Sequence, residues 1–134
     1  MIEELREWRR ERGLGKSNYK AYFANVIEEL LEPLYDDSSV INYFKNEIVG
    51  KYYREINLDD EKIIDTLNDI TVFSVNEAEM MGYDFDKTMD ETIKEISSRT
   101  GEYNEEVGKW QKFKTPEAVA KWYKADYSKC KVTI

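Results

Sequence analysis

The sequence predicts an all-α protein folded as an antiparallel helical bundle. Only two prolines and six glycines interrupt the 134 residues, which favours long helices over a turn-rich β architecture. Apolar residues recur at three- and four-residue spacing, as they do in amphipathic helices. No alternation typical of β-strands competes with this pattern. A chain of this length usually builds one core, so we expect a single domain over residues 1–134.

The first two helices are predicted from their periodicity and their end signals. The stretch IEELREWRRERGL forms the first, and it ends near Gly13 because glycine commonly follows the last helical residue. The second runs from about residue 19 to residue 35, with Ser17 or Asn18 as its N-cap. Pro33 lies inside this segment and is expected to kink or end the helix.

Two longer helices are predicted in the middle of the chain. The segment VINYFKNEIVGKYYREI forms one of them, and the preceding DDSS caps it. The next helix starts after Asn57 or Asp59 as N-cap and ends near Gly82. Apolar groups lie nearly all round this helix, which is typical of a helix buried between neighbours.

The C-terminal third predicts two further helices. The segment DFDKTMDETIKEISSRTG forms the first, with Asp84 or Asp86 as its cap and Gly101 as its stop. The last one is the segment TPEAVAKWYKAD, in which a threonine caps the helix and a proline occupies its first turn.

Composition excludes several classes of protein. The N-terminus is charged from its third residue and no run approaches a membrane span, so we expect neither a secretory signal nor a membrane partner. Cys130 is the only cysteine, which excludes an internal disulfide and favours a cytoplasmic setting. Histidine is absent. Metal chemistry would therefore rest on carboxylates, which suit magnesium or manganese.

Charge is unevenly distributed along the chain. Residues 1–20 carry +2 and residues 107–134 carry +5, so that −15 falls on residues 21–106 and the total is −8. This balance argues against binding to duplex nucleic acid. The balance suits an acidic cation-binding centre flanked by positively charged terminal segments that bind an anion, although solvated helix faces would give the same pattern.

Two acidic clusters stand at helical spacing inside apolar segments. Glu28, Glu29 and Glu32 lie within NVIEELLEPLYDD, and Asp65 and Asp69 interrupt the apolar helix that follows later. Residues three and four apart share a helix face, where like charges repel by a few tenths of a kcal/mol. A divalent cation shared between two helices removes this repulsion. For the glutamates alone a solvated surface is the better explanation, but both clusters together favour a metal site.

These acidic segments resemble the all-α nucleoside triphosphate pyrophosphohydrolases, which include MazG-type proteins, dimeric dUTPases and phosphoribosyl-ATP pyrophosphohydrolases. The family signature has two glutamates, a two-residue gap and a third glutamate on one helix, and EELLE matches it residue for residue. A second acidic pair follows on the next core helix, and Asp69 in DTLNDITVFSV matches its final aspartate. The sequence departs from the pattern at Thr66, three residues earlier, where the nearest acid is Asp65.

Other segments resemble the phage and bacterial MazG-like branch of this family. REWRRERGL is similar to its first helix, and MGYDFDKTMDETIKEISSRTG is similar to the segment after the metal helix, which carries nucleotide contacts. GKWQKF and KWYKADYSKCK resemble the tails of phage-encoded relatives. Some of those relatives are described as dATP/dGTP pyrophosphohydrolases, so these nucleotides are the candidate substrates.

The resemblance implies hydrolysis of a nucleoside triphosphate between its α- and β-phosphates, with a monophosphate and pyrophosphate as products. It implies Mg²⁺, or Mn²⁺ as an alternative, as the cofactor and a homodimer or homotetramer as the assembly. The implied metal ligands are Glu28, Glu29, Glu32 and Asp69, with Asp65 either as a fifth ligand or as a group that supports the ligands. Glu29 is also the candidate to orient the attacking water instead of binding the metal. The candidate cations for the triphosphate are Arg12, Lys94, Arg99 and Lys109.

Two other interpretations remain open. The chain would be a non-catalytic nucleotide-binding module if the departure at Thr66 abolishes the metal chemistry. It would be a protein-interaction module if the acidic clusters are solvated surface and the aromatic helices dock a partner. A P-loop or Rossmann nucleotide site is not expected, because neither glycine-rich motif is present.

Overall fold

The computed structural model describes residues 1–56, 58–106 and 109–132. Most of these residues are helical, which confirms the all-α class. The helices are α1 Ile2–Glu11, α2 Tyr19–Leu31, α3 Ser38–Tyr52, α4 Asp60–Met80, α5 Phe85–Ser97 and α6 Pro116–Ala120. No helix in the described part of the chain is long and apolar enough to cross a membrane.

The chain divides into two compact units. The larger unit comprises Met1–Gly15 and Ile64–Ile134, and the smaller unit comprises Lys16–Ile63. In the larger unit α1 and the C-terminal 3-10 turn, Ser128–Cys130, both pack against α5, where Ile93 is buried. In the smaller unit α2 packs against α3.

Side-chain caps fix the starts of helices α2 to α6, as the sequence predicts, whereas α1 begins without one. A carboxylate, amide or hydroxyl oxygen accepts a hydrogen bond from a first-turn N–H, which satisfies a donor that has no partner within the helix. The capping residues are Asn18 for α2, Asp37 for α3, Asp84 for α5 and Thr115 for α6. For α4, Asp59 accepts from the N–H of Lys62 at 2.9 Å. The other predicted cap, Asn57, lies outside the described residues.

The helix ends follow glycine and proline signals, with two differences from the prediction. Gly13 and Gly82 lie two residues beyond the ends of α1 and α4 and adopt φ of +67° and +89°, a conformation that glycine adopts without strain. Helix α2 ends at Leu31 rather than residue 35, because Pro33 lies in a following 3-10 turn, Glu32–Leu34. Helix α5 ends before Gly101, which lies in a strand instead of stopping the helix.

A β-hairpin corrects the expectation that the chain has no strands. Strand β1, Gly101–Asn104, pairs antiparallel with β2, Lys109–Lys112, and Tyr103 lies opposite Trp110. Strands of four residues are too short for a clear alternation to stand out, and their polar composition hides them further. The last helix is also shorter than predicted, since α6 has five residues.

Helix α4 corrects a second expectation, that it is buried between neighbours. None of its 21 residues is buried. A partly covered stripe includes Leu67 and Ile70, but other large apolar side chains on the same helix are open to solvent. The exposed ones are Ile64, Val72, Phe73 and Met80, with Met81 directly after the helix end. In the single chain, α4 therefore presents apolar surface that soluble helices usually cover.

Candidate functional site

The three predicted glutamates lie at the C-terminal end of α2 in the smaller unit. Glu28 and Glu29 belong to the last turn of α2, and Glu32 follows with helical φ and ψ of −53° and −46°. The i, i+4 spacing therefore places Glu28 and Glu32 on one helix face, as predicted. Lys45 of α3 brings its Nζ to 3.4 Å from Glu28 Oε2. This ion pair, which links α2 to α3, partly neutralises the cluster.

The two predicted aspartates lie on α4 in the larger unit. Asp65 and Asp69 are one helical turn apart and both are exposed. Phe73 follows Asp69 by four residues on the same helix, so the acidic side of α4 continues into exposed apolar surface. Water and ions can therefore reach both carboxylates.

The acidic clusters belong to different units of the chain. Glu28, Glu29 and Glu32 are in Lys16–Ile63, whereas Asp65 and Asp69 are in the larger unit. Within either unit, the described residues bring together no group of three acidic or cysteine side chains suited to a metal ion. The combined five-carboxylate site stays a prediction.

Arg12, a predicted phosphate-binding residue, is held between two tryptophans in the larger unit. Its guanidinium lies 4.8 Å from the ring centroid of Trp8 and 4.9 Å from that of Trp110. Nη2 donates hydrogen bonds to the carbonyl oxygens of Ile96 and Arg99 at 3.3 and 2.8 Å. The side chain is only 8% exposed, and burial lowers its pKa. These contacts connect α1, the end of α5 and the hairpin.

The other three predicted cations also lie in the larger unit, in different settings. Lys94 Nζ is 3.3 Å from Glu91 Oε2. Arg99 Nη2 is 3.7 Å from Glu95 Oε2. Lys109 is exposed on β2 and has no ion pair among the residues that the structure describes. Of these candidates, Lys109 is therefore the most available to an anion in solution.

Glu91 is a buried carboxylate that the sequence interpretation did not single out. It is 2% exposed. Its Oε1 accepts hydrogen bonds from the hydroxyl of Tyr123 at 2.6 Å and the N–H of Asp126 at 3.0 Å. Lys94 and Lys129 each approach it to 3.3 Å. The Tyr123 hydrogen bond, followed by the Asp126 N–H, lowers the pKa of Glu91 from 4.5 to about 2.

The signal for Glu91 was weak because its partners are distant in sequence. Tyr123 and Asp126 follow it by 32 and 35 residues, and no local spacing rule connects positions so far apart. A glutamate on an amphipathic helix is normally solvated, so only the folded chain distinguishes Glu91 from the exposed acids near it.

A cavity of about 400 Å³ opens beside the C-terminal end of α4. Its lining is mostly apolar and aromatic, and comprises Ala78, Met81, Tyr83, Phe85, Thr88, Met89, Thr92 and Tyr127. The hydroxyls of Thr92 and Tyr127 are 2.9 Å apart and share a hydrogen bond. Ala78 is nine residues beyond Asp69, or about 14 Å along the helix axis. Among the residues that the structure describes, its lining includes hydroxyl groups but no ionised side chain.

Comparisons with protein-family models, with curated proteins and with solved structures found no match to this chain. The resemblance to the pyrophosphohydrolases therefore rests on the quoted residues and their spacing.

Proposed function

We propose that this protein is a magnesium-dependent nucleoside triphosphate pyrophosphohydrolase of the MazG-like type, an antiparallel helical bundle that works in the cytoplasm. One observation carries the proposal: two carboxylate pairs at four-residue spacing occur on two separate helices, Glu28 with Glu32 and Asp65 with Asp69. The two carboxylates within each pair repel each other. Helical proteins hold divalent cations between such pairs on facing helices.

The donor chemistry suits the proposed metal. Carboxylate oxygens are the ligands that Mg²⁺ and Mn²⁺ prefer, and Glu29, Glu32, Asp65 and Asp69 are exposed and reachable from solvent. The ion pair between Lys45 Nζ and Glu28 Oε2 competes with metal binding at that oxygen. When bound, magnesium would neutralise phosphate oxygens and lower the pKa of a coordinated water.

The proposed reaction adds one water across the anhydride bond between the α- and β-phosphates. The bond from phosphorus to the bridging oxygen breaks, the water oxygen joins the attacked phosphorus, and the products are a nucleoside monophosphate and pyrophosphate. Glu29 would accept the proton of this water and orient it. Lys94, Arg99 and Lys109 would contact the triphosphate. Arg12 would contribute through its position near Arg99, because its Nη2 already donates to two carbonyl oxygens.

The test is an assay for pyrophosphate and monophosphate with each NTP and dNTP plus magnesium, starting with dATP and dGTP. We expect turnover in the wild type and a loss of about 100-fold or more in Glu29→Ala, with a comparable loss in Asp69→Ala. Glu77→Ala, which removes another exposed acid from α4, is the matched control and should retain activity. Absence of turnover with every nucleotide, and no change in melting temperature on adding magnesium, would refute the proposal.

The ion pair between Lys45 and Glu28 gives a further arm of this test. This pair is partly exposed, with 23% of the Lys45 and 39% of the Glu28 side chain open to solvent. It should contribute on the order of 1 kcal/mol, so Lys45→Gln should tighten magnesium binding by up to about fivefold. Lys51→Gln, which removes a lysine paired with Glu47 on the same helix, should leave magnesium binding unchanged. Equal affinities in all three proteins would remove Glu28 from the ligand set.

The alternative is a non-catalytic helical module that binds nucleotides or another protein. The exposed apolar side chains of α4, among them Phe73 and Met80, favour an interaction surface. The same surface suits the homodimer or homotetramer expected of the enzyme. A nucleotide that raises the melting temperature without being hydrolysed would select the binding module over the enzyme.

A further inference from the structure

A second cavity lies on the β-hairpin and differs from the first in its charge. It measures about 450 Å³ and is lined by Trp110, Gln111, Lys112 and Lys114. Side chains two apart on a strand point to the same face, so Trp110 and Lys112 share one face of β2. Lys114 continues that spacing beyond the strand end. An aromatic ring and two ammonium groups therefore adjoin one concave surface.

The lysines of this surface carry uncompensated charge. Residues 109–124 contain five lysines and one acidic residue, Glu117. Neither Lys112 nor Lys114 has an ion-pair partner among the described residues, whereas Lys94 and Lys129 both contact Glu91. Lys112 lies 5.2 Å from the ring centroid of Trp122, which favours an extended and ordered side chain. The charge on β2 is thus free to attract an anion.

A glycine in the hairpin allows the aromatic ring of this surface to pack closely on the backbone. Gly101 lies directly opposite Lys112, so no side chain projects from the partner strand at that point. A Cβ at Gly101 would lie 2.6 Å from Trp110 Cζ2, which shows how closely the ring approaches the backbone. Arg12 packs against the same ring at 4.9 Å. Tyr103, opposite Trp110, is exposed and offers a second aromatic group.

We propose that this β2 surface binds a nucleotide through its phosphate groups, with Lys112 and Lys114 as the phosphate ligands and Tyr103 beside Trp110 as the contact for the base. Ammonium groups form charge-assisted hydrogen bonds with phosphate oxygens, and aromatic rings stack on bases without regard to sequence. A free nucleotide and a single-stranded nucleic acid both supply this chemistry. The binding requires no magnesium and does not depend on the proposed hydrolysis.

The experiment measures binding by fluorescence anisotropy in the presence of EDTA, with a labelled ATP analogue and a labelled 12-nucleotide oligo(dT) as separate probes. We expect the wild type to bind at least one probe. The double variant Lys112→Gln/Lys114→Gln should bind that probe with a Kd about tenfold higher or more, because two charge-assisted contacts are lost. For the oligonucleotide, the slope of log affinity against log salt should fall by about 1.4 in magnitude. The probe that binds identifies the source of the phosphate.

The matched control is Lys16→Gln/Lys20→Gln, which removes the same charge from exposed positions of the smaller unit. It should change Kd by less than about twofold. Lys114→Gln alone should still weaken binding if the double variant folds poorly, because Lys114 is exposed. Failure of the wild type to bind either probe, or equal loss in the two double variants, would overturn the proposal.

Discussion

At the scale of single residues, Glu91 shows how a buried carboxylate is kept ionised. Burial alone favours the neutral acid, whereas hydrogen bonds to the charged form favour the carboxylate. In Glu91 the hydrogen bonds from the Tyr123 hydroxyl and the Asp126 N–H outweigh the effect of burial, so its pKa is lowered. Lys129 contributes a nearby positive charge. Glu91 consequently links the segment after α6 to the middle of α5, since both of these donors lie beyond residue 120.

The pKa of Glu91 predicts a specific loss of stability in acid. Its pKa is about 2 in the folded chain against an ordinary 4.5, so the folded state binds fewer protons in this window than the unfolded state. The contribution of Glu91 is complete above about pH 4.5 and is lost as the pH falls towards 2. Melting temperatures of the wild type and Glu91→Gln between pH 6 and pH 2.5 should differ most at pH 6 and converge in acid.

Glu102→Gln is the control for this measurement, because Glu102 is an exposed acid on β1. Its melting temperature should follow that of the wild type at every pH. A difference between wild type and Glu91→Gln that is independent of pH would contradict the assignment of these hydrogen bonds to the ionised form.

The guanidinium of Arg12 stabilises the larger unit through stacking and hydrogen bonds together. Its planar guanidinium stacks on two rings and donates to two carbonyl oxygens at once, which an ammonium group cannot do. Arg12→Lys should therefore lower the free energy of unfolding by about 2 kcal/mol, measured by urea denaturation. Arg10→Lys, at an exposed position of the same helix, should change it by less than about 0.5 kcal/mol. Equal effects at the two positions would contradict the structural role of Arg12.

At the scale of elements, two glycines with opposite surroundings give a matched pair. A Cβ at Gly101 would clash with the carbonyl oxygen of Gln111 and lie 2.6 Å from Trp110 Cζ2, while a Cβ at Gly50 meets nothing within 4 Å. Gly101→Ala should destabilise by about 1–3 kcal/mol because the hairpin must shift. Gly50→Ala, inside α3, should stabilise by about 0.5–1 kcal/mol through helix propensity. A denaturant midpoint of Gly101→Ala that equals or exceeds that of the wild type would contradict the hairpin register.

The same scale separates what the sequence predicts well from what it does not. Caps at Asn18, Asp37 and Thr115 are local: a side chain bonds a backbone N–H two or three residues away, so a short window contains the whole interaction. The hairpin depends on pairing between residues up to eleven positions apart and on a packed Trp110. A short stretch of sequence examined for periodicity contains neither the strand pairing nor the packing of Trp110.

At the scale of the whole molecule, the candidate site was predictable only in its parts. The helical spacing of Glu28 with Glu32 and of Asp65 with Asp69 follows from sequence periodicity, and α2 and α4 are the helices expected. The electrostatic setting was not predictable, because Lys45 reaches Glu28 from another helix. The packing of Arg12 between two rings was not predictable either, because stacking depends on tertiary contacts that no spacing rule encodes. Its role in binding phosphate stays a prediction.

The exposed apolar side of α4 predicts that copies of the chain associate. Large apolar groups in contact with water are costly, at about 25 cal/mol per Å² of apolar surface, and a patch of them usually marks an interface. We expect light scattering after gel filtration to give about two or four times the 15.9 kDa of one chain. Phe73→Ser should weaken this assembly by at least about tenfold, because burial of one phenylalanine contributes about 1.5–3 kcal/mol.

Tyr52→Ser provides the matched control for this assembly, since Tyr52 of α3 is 74% exposed and Phe73 is 73% exposed. If α4 forms the contact between copies, only the variant at Phe73 should move the protein towards the mass of a monomer. A wild type that stays monomeric at all concentrations, or equal dissociation in both variants, would show that the apolar side of α4 is not the contact between copies.

A dimer joined through α4 would also place Asp65 and Asp69, on the helix that carries Phe73, close to the contact between copies. Dissociation by Phe73→Ser should then lower magnesium-dependent turnover as well.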